Sequence, residues 1–152
     1  NNTLLYFFGS INESEIKEDV QLDVGQFAET AGKRESGAPT FTVGARGQVS
    51  FGPAELGVQV KHTGKRYVND ENVALTPGFP EKVDGYTLVD LDLRIRLGEY
   101  FNGRDAALQF NVTNLLDELY VGGFGGSLTR DDLPFVQIGA PRAASVSLIL
   151  GY

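Results

Sequence analysis

Asp90 and Asp92 stand two residues apart in Val89-Asp90-Leu91-Asp92-Leu93-Arg94-Ile95-Arg96-Leu97. In an extended strand that spacing puts both carboxylates on one face, about 7 Å from one another. Two carboxyls so placed suit general acid and base work. The same face also carries Arg94 and Arg96, and a hydrated ladder of mutually paired charges accounts for all four residues where catalysis accounts for two. His62, the single histidine, ends an alternating stretch in phase with apolar residues, which suggests a rim position rather than a metal ligand. The run Gly122-Gly123-Phe124-Gly125-Gly126 lacks the Lys-Ser/Thr ending and strand-to-helix setting of a phosphate loop, and reads as a flexible loop tip. No Ser-His-Asp order, metal-ligand spacing or cofactor fingerprint occurs elsewhere. The expectation is a protein without enzymatic activity, metal or cofactor.

Composition narrows the field. At 152 residues the chain has room for one ordinary domain. A net charge of −7, with no clustered Lys or Arg, argues against binding phosphate backbones. The absence of cysteine removes disulfide frameworks, thiolate metal sites and thiol nucleophiles. No run of about 18 apolar residues is present to make a transmembrane helix. A membrane barrel would leave no such run, because its strands alternate. Nineteen glycines and six prolines among frequent Thr and Val point to strands and turns.

The elements that position these residues follow from period-two alternation. The last stretch, Ala144 to Tyr152, lines up Ala144, Val146, Leu148, Leu150 and Tyr152 on one face, with Ser145, Ser147 and Gly151 on the other and Ile149 as the exception. Five earlier strands are expected: Leu4 to Asn12, Phe41 to Phe51, Glu55 to Thr63, Val89 to Leu97, and Leu108 to Thr113. Phe41 and Phe51 bracket a strand that, tilted near 40°, rises about 25 Å, the height of a bilayer-facing band between aromatic girdles. A one-residue slip in the fourth strand would turn four charges onto the apolar face, at up to about 2 to 4 kcal/mol for each Arg in lipid. The register is therefore fixed. Connections alternate long (Glu13 to Pro39), short (Gly52-Pro53), long (Val68 to Gly85), short (Gly98 to Asp105) and long (Asn114 to Arg142). Antiparallel strands give that alternation when one rim carries loops and the other turns. Tyr152 then lies on the turn rim.

In Phe110-Asn111-Val112-Thr113-Asn114-Leu115-Leu116-Asp117-Glu118-Leu119-Tyr120 the sequence resembles the penultimate strand of TonB-dependent outer-membrane receptors, whose usual pattern is Asn-Leu-Phe-Asp-x-x-Tyr; here Leu116 stands for the Phe. Further matches keep the family order: Gly37-Ala38-Pro39, Tyr67-Val68-Asn69-Asp70, Gly85-Tyr86-Thr87-Leu88-Val89-Asp90, Gly139-Ala140-Pro141-Arg142 and the closing Tyr152.

The resemblance implies an all-β, antiparallel up-and-down transmembrane barrel segment. Residues 1–152 would form the C-terminal part of one 22-stranded barrel, with the plug, the TonB box and the earlier strands lying upstream. It implies a receptor in the outer membrane of a Gram-negative bacterium that takes up a scarce nutrient, most often a ferric siderophore, with energy relayed by the TonB complex through the plug. Its partners would be outer-membrane lipid, an iron chelate or other small nutrient, and the outer-membrane assembly machinery. That machinery would read Val146, Leu148, Leu150 and Tyr152 as the terminal signal. Asp90, Asp92, Arg94 and Arg96 would form a lumen charge ladder. Tyr120, Phe124 and Arg130 are the expected ligand contacts, since aromatic and cationic groups suit anionic iron chelates. Two other readings remain open from the residues alone: a soluble all-β binding module and a plug-free, porin-like channel.

Overall fold

The computed structural model describes residues 2–75, 80–98, 106–125 and 135–150. In chain order its strands are β1 (Asn2–Ile11), β2 (Val20–Asp23), β3 (Gln26–Ala28), β4 (Phe41–Phe51), β5 (Ala54–Thr63), β6 (Arg66–Tyr67), β7 (Lys82–Val83), β8 (Tyr86–Arg96), β9 (Ala106–Thr113), β10 (Val121–Phe124), β11 (Val136–Ile138) and β12 (Ala143–Leu150). Six of them make one sheet in the order β1-β4-β5-β8-β9-β12. Each neighbouring pair is antiparallel, so the sheet is an up-and-down meander in sequence order. All six expected strands are present. The fourth starts earlier than its alternation suggested, because Tyr86, Thr87 and Leu88 continue the ladder to Thr63, His62 and Lys61 of β5.

The pairing registers stagger the strands. The row Leu5, Gly47, Val58, Leu91, Val112, Ala144 runs straight across the sheet. It crosses β1 six residues below that strand's loop end and β12 one residue below its own. A climb of about 16 Å over five strand spacings of about 4.8 Å is a tilt of about 35°, the inclination that closed membrane barrels need. The outer edges of β1 and β12 are unpaired among the described residues. Six strands so inclined are a sector of a barrel.

Alternation gives the two faces opposite chemistry. One face gathers Leu5, Phe7, Ile11, Val43, Val58, Val60, Leu91, Val146, Leu148 and Leu150. Many of these stand open to the surroundings: Phe7 is 73% exposed, Ile11 80% and Val146 64%. The other face holds Arg46, Gln48, Gln59, Asp90, Asp92, Arg94, Arg96, Gln109 and Asn111. A contiguous outward apolar face of this extent marks a surface that meets something other than water. Ile149 sits opposite Ala107 on the polar face, which explains the break in the terminal stripe. On β1 the polar-face positions are themselves apolar at Leu4, Tyr6 and Phe8, with the last two rings stacked 5.8 Å apart.

The connections at one rim hold more order than their polar, glycine-rich sequence suggested. Each of the three long ones contains a two-stranded hairpin: β2–β3, β6–β7 and β10–β11. The expectation that the glycine run is a flexible loop tip is corrected in part. Gly122 and Gly123 belong to β10, which ladders against Gln137 and Val136 through an irregularity that a residue without a side chain accommodates. Gly126 lies outside the described residues.

Candidate functional site

On the polar face, Asp90, Asp92, Arg94 and Arg96 alternate along β8 as expected, yet their partners come from elsewhere. The Arg46 guanidinium of β4 forks onto Asp92, with Nη1 to Oδ1 at 2.7 Å and Nη2 to Oδ2 at 3.2 Å. The two residues lie on strands separated by β5, and Gly57 stands between them in that strand. A Cβ on Gly57 would lie 2.5 Å from Arg46 Nη2 and 2.6 Å from Asp92 Oδ1. The missing side chain opens the space through which the two charges meet. Asp90 instead accepts the Asn114 backbone N–H at 2.9 Å. Arg94 stands opposite Glu55 and Gln109, and Arg96 opposite Ala107. The two carboxylates of the ladder are thus tied to β4 and to the rim above β9.

Asn114 anchors the rim above β9. Its φ is 49°, a left-handed conformation that Asn tolerates better than most residues. The side chain is 4% exposed and fully engaged. Its Oδ1 accepts from Glu118 N at 2.8 Å, while Nδ2 donates to Glu118 O at 3.0 Å and to Ala140 O at 3.1 Å. Asp117, also left-handed, takes Arg142 N at 2.9 Å. The Asn-Leu-Leu-Asp segment therefore works as a clasp that ties the exit of β9 to the entry of β12.

The same rim joins its three connections to one another. Asn72, with a φ of 58°, exchanges two hydrogen bonds with the Arg34 backbone, Arg34 N to Oδ1 and Nδ2 to Arg34 O, both 2.8 Å. Asp70 takes Ser36 N at 2.7 Å, and Asn69, 0% exposed, closes its own turn by bonding Val73 N and O. Arg66 reaches from β6 to the carbonyls of Val121 and Gly122 and lies 5.6 Å above the Tyr86 ring. Lys82 sits 4.4 Å above the Tyr67 ring and 3.3 Å from Glu81, and its hydrogen bond to Tyr67, then that to Glu81, raises its pKa above the ordinary ammonium value.

Tyr120, one expected ligand contact, packs against Tyr86 with ring centroids 4.2 Å apart and planes tilted by 30°, and lies across Gly139, where any side chain would collide with its ring. Phe124 ends β10, on the same connection. Arg130 lies outside the described residues, as does Tyr152 of the terminal pattern, whereas Val146, Leu148 and Leu150 share the outward face of β12. His62 stands near the loop rim on the apolar face, its Nδ1 2.9 Å from Thr87 Oγ1 and its ring stacked 5.5 Å from Phe41. Among the described residues no cluster of three metal-ligating side chains occurs. The sequence did not point to Arg46, Gly57, Arg66 or Tyr86. Arg46 was legible as the lone cation on its strand face, but its partner is 46 residues away and appears only once the register is known.

No protein-family model matches the chain, and no functionally characterised protein matches it by sequence. Solved structures do match. The class they belong to is the ferric-siderophore receptors of β-barrel fold, and the six-stranded sheet of this chain matches a sector of that fold. In particular, BauA, the ferric preacinetobactin receptor of Acinetobacter baumannii, aligns with a TM-score of 0.60 and 19% identity over 80% of this chain. Fiu, the ferric-catecholate import receptor of E. coli K12, aligns with a TM-score of 0.52 and 19% identity over 81%. The chain spans 16% and 17% of the length of those two receptors.

Proposed function

We propose that this chain is the C-terminal sector of the barrel of an outer-membrane receptor that takes up a ferric siderophore, driven by the TonB complex through a plug domain encoded upstream. The observation that carries this reading is the pairing of an outward apolar face with a tilted, open meander aligned to two ferric-chelate receptors. A soluble binding module would turn that apolar face into a core. Here Phe7, Ile11, Val43, Val58, Val60 and Val146 of that face are exposed.

In this reading the polar face lines the lumen and the loop rim faces outward from the cell. Tyr120, Phe124 and Arg130 of the third connection contact the chelate, with Tyr120 positioned by Tyr86. Val146, Leu148, Leu150 and Tyr152 form the signal that the outer-membrane assembly machinery reads.

The test uses the complete polypeptide in a Gram-negative host starved of iron. It should fractionate with outer membranes and restore growth on a ferric siderophore. Phe124→Ala with Arg130→Ala should weaken chelate binding, and deleting Tyr152 should lower the amount inserted while leaving the affinity of the inserted receptor unchanged. Recovery in the soluble fraction without detergent would overturn the reading. Ion conduction in the absence of any plug would favour a porin instead.

A further inference from the structure

A groove of about 740 Å³ opens beside the loop end of the β1–β4 pair, within the size range of small-molecule sites. Gly9, Ile11, Phe41 and Val43 line it from the apolar face, joined by Ser10 and Thr42 at the alternate positions and by Thr40 and Arg34 of the first connection. Resting on the membrane reading above, we propose that this groove holds an anionic lipid of the outer leaflet, with an acyl chain along Gly9 and a headgroup phosphate on Arg34.

Three observations carry the proposal. The apolar side chains of the groove, Ile11, Phe41 and Val43, belong to the outward face, where the membrane reading puts lipid. Its floor is Gly9, in a row otherwise built from Phe7 and Ile11. A Cβ there would meet only Thr42 O at 3.5 Å, ordinary contact, so packing does not require the glycine and its effect is to leave the space open. Arg34 supplies a fixed cation at the end of the apolar band. Asn72 grips its backbone on both sides, Nη1 donates to Asn12 O at 3.0 Å, and among the described residues it makes no ion pair. A guanidinium with N–H donors beyond that carbonyl suits a phosphate.

The neighbouring groove, lined by Phe41, His62, Gly64, Lys65, Asp84 and Gly85, supplies the contrast. Its cation, Lys65, is already matched by Asp84 at 2.9 Å. An anionic headgroup would have to displace a carboxylate there.

The experiment takes the complete receptor in detergent and measures its partition into phosphatidylcholine vesicles with and without phosphatidic acid, together with the lipid it retains afterwards. Wild type should retain phosphatidic acid in preference to phosphatidylcholine. Arg34→Gln, which leaves the backbone grip of Asn72 in place, should reduce that preference about fivefold, the effect of one basic residue at a charged membrane surface. Gly9→Leu should fill the groove and lower retention of the bound lipid, whereas Lys65→Gln should leave the preference unchanged. If Arg34→Gln and Gly9→Leu both retain phosphatidic acid as wild type does, the site is wrong. If inorganic phosphate binds at Arg34 equally well in wild type and Gly9→Leu while no lipid is retained, the site is one for free anions and the lipid proposal falls. A protein that stays soluble without detergent would instead overturn the membrane reading itself, an outcome separable from either.

Discussion

The sheet and the loop rim of this chain bury opposite kinds of residue. In the sheet many large apolar side chains point outward and stay exposed, Phe7, Ile11 and Val146 among them, while Arg46, Gln48, Gln59 and Asp92 on the other face are half-buried. At the rim the most deeply buried residues are Val68 at 1%, Asn69 at 0% and Thr30 at 0%, two of them polar and each of those satisfied by hydrogen bonds. The sheet is held by its backbone ladders. The rim is held by side chains that substitute for ladder partners where the backbone turns. Buried polar groups are costly unless bonded, so the rim's order depends on a few Asn and Asp residues in a way the sheet's does not.

The contrast is broken most severely by a charge on the outward face. Leu91 lies in the row Leu5, Gly47, Val58, Leu91, Val112, Ala144, midway along its strand. On the membrane reading proposed above, Leu91→Arg in the complete polypeptide should cost about 2 to 4 kcal/mol of stability. Reversible unfolding in lipid vesicles measures it. Gln109→Arg, on the polar face of the neighbouring strand, should cost far less, since on the same reading that side is hydrated. Equal penalties for the two would mean that the faces are not lipid and lumen.

A smaller effect, confined to the rim, should follow from Asn114→Ala. It removes three side-chain hydrogen bonds and leaves a left-handed position to a residue that disfavours it, for a loss of about 2 kcal/mol. Asn114→Gly keeps the backbone conformation and loses only the bonds, so the difference between the variants isolates the strain. Hydrogen exchange should accelerate at residues 114–118 and 139–142 while the protection of β4, β5 and β8 is unchanged. Faster exchange throughout the sheet would show that rim and sheet form one cooperative unit.

Asn72→Ala should cost a similar amount, about 2 kcal/mol, because it removes the two bonds to the Arg34 backbone and one to Asn69 O and leaves a left-handed φ of 58° to a residue that disfavours it. The first two connections should then exchange faster near Arg34 and Asn72, with the Asn114 clasp unaffected.

These differences also account for what the sequence disclosed. The six sheet strands were legible because each carries a period-two stripe over six or more residues, a pattern that neither a helix nor a loop produces. The alternation of long and short connections supplied the meander. The hairpins in the long connections were not legible, since β2, β6 and β10 are short and lack such a stripe. The motif matches at Asn114-Leu115-Leu116-Asp117 and Tyr67-Val68-Asn69-Asp70 marked the right places for a physical reason that emerges only in three dimensions: both segments are clasps whose partners, Ala140 and Ser36, lie far along the chain. Of the expected site residues, the charges on β8 shared a face as their spacing required, but their partners depended on register and on the gap at Gly57.

That gap supports the smallest effect. The Arg46–Asp92 fork is about one-quarter to one-third exposed at each side chain, so water screens it, and the pair should contribute about 1 kcal/mol or less. Arg46→Met, Asp92→Asn and the double variant close a cycle in which the two single losses should sum to more than the loss in the double variant, since each single change leaves the other group without its partner. Gly57→Leu should abolish that coupling without touching either charge. The atoms it would displace are the ends of two flexible side chains, so the strand itself can hold its register while the fork is pushed apart. A full coupling energy retained in the Gly57→Leu background would show that the charges meet by a path other than the space at this glycine, and the polar face would then need a different account of how two strands pair across a third.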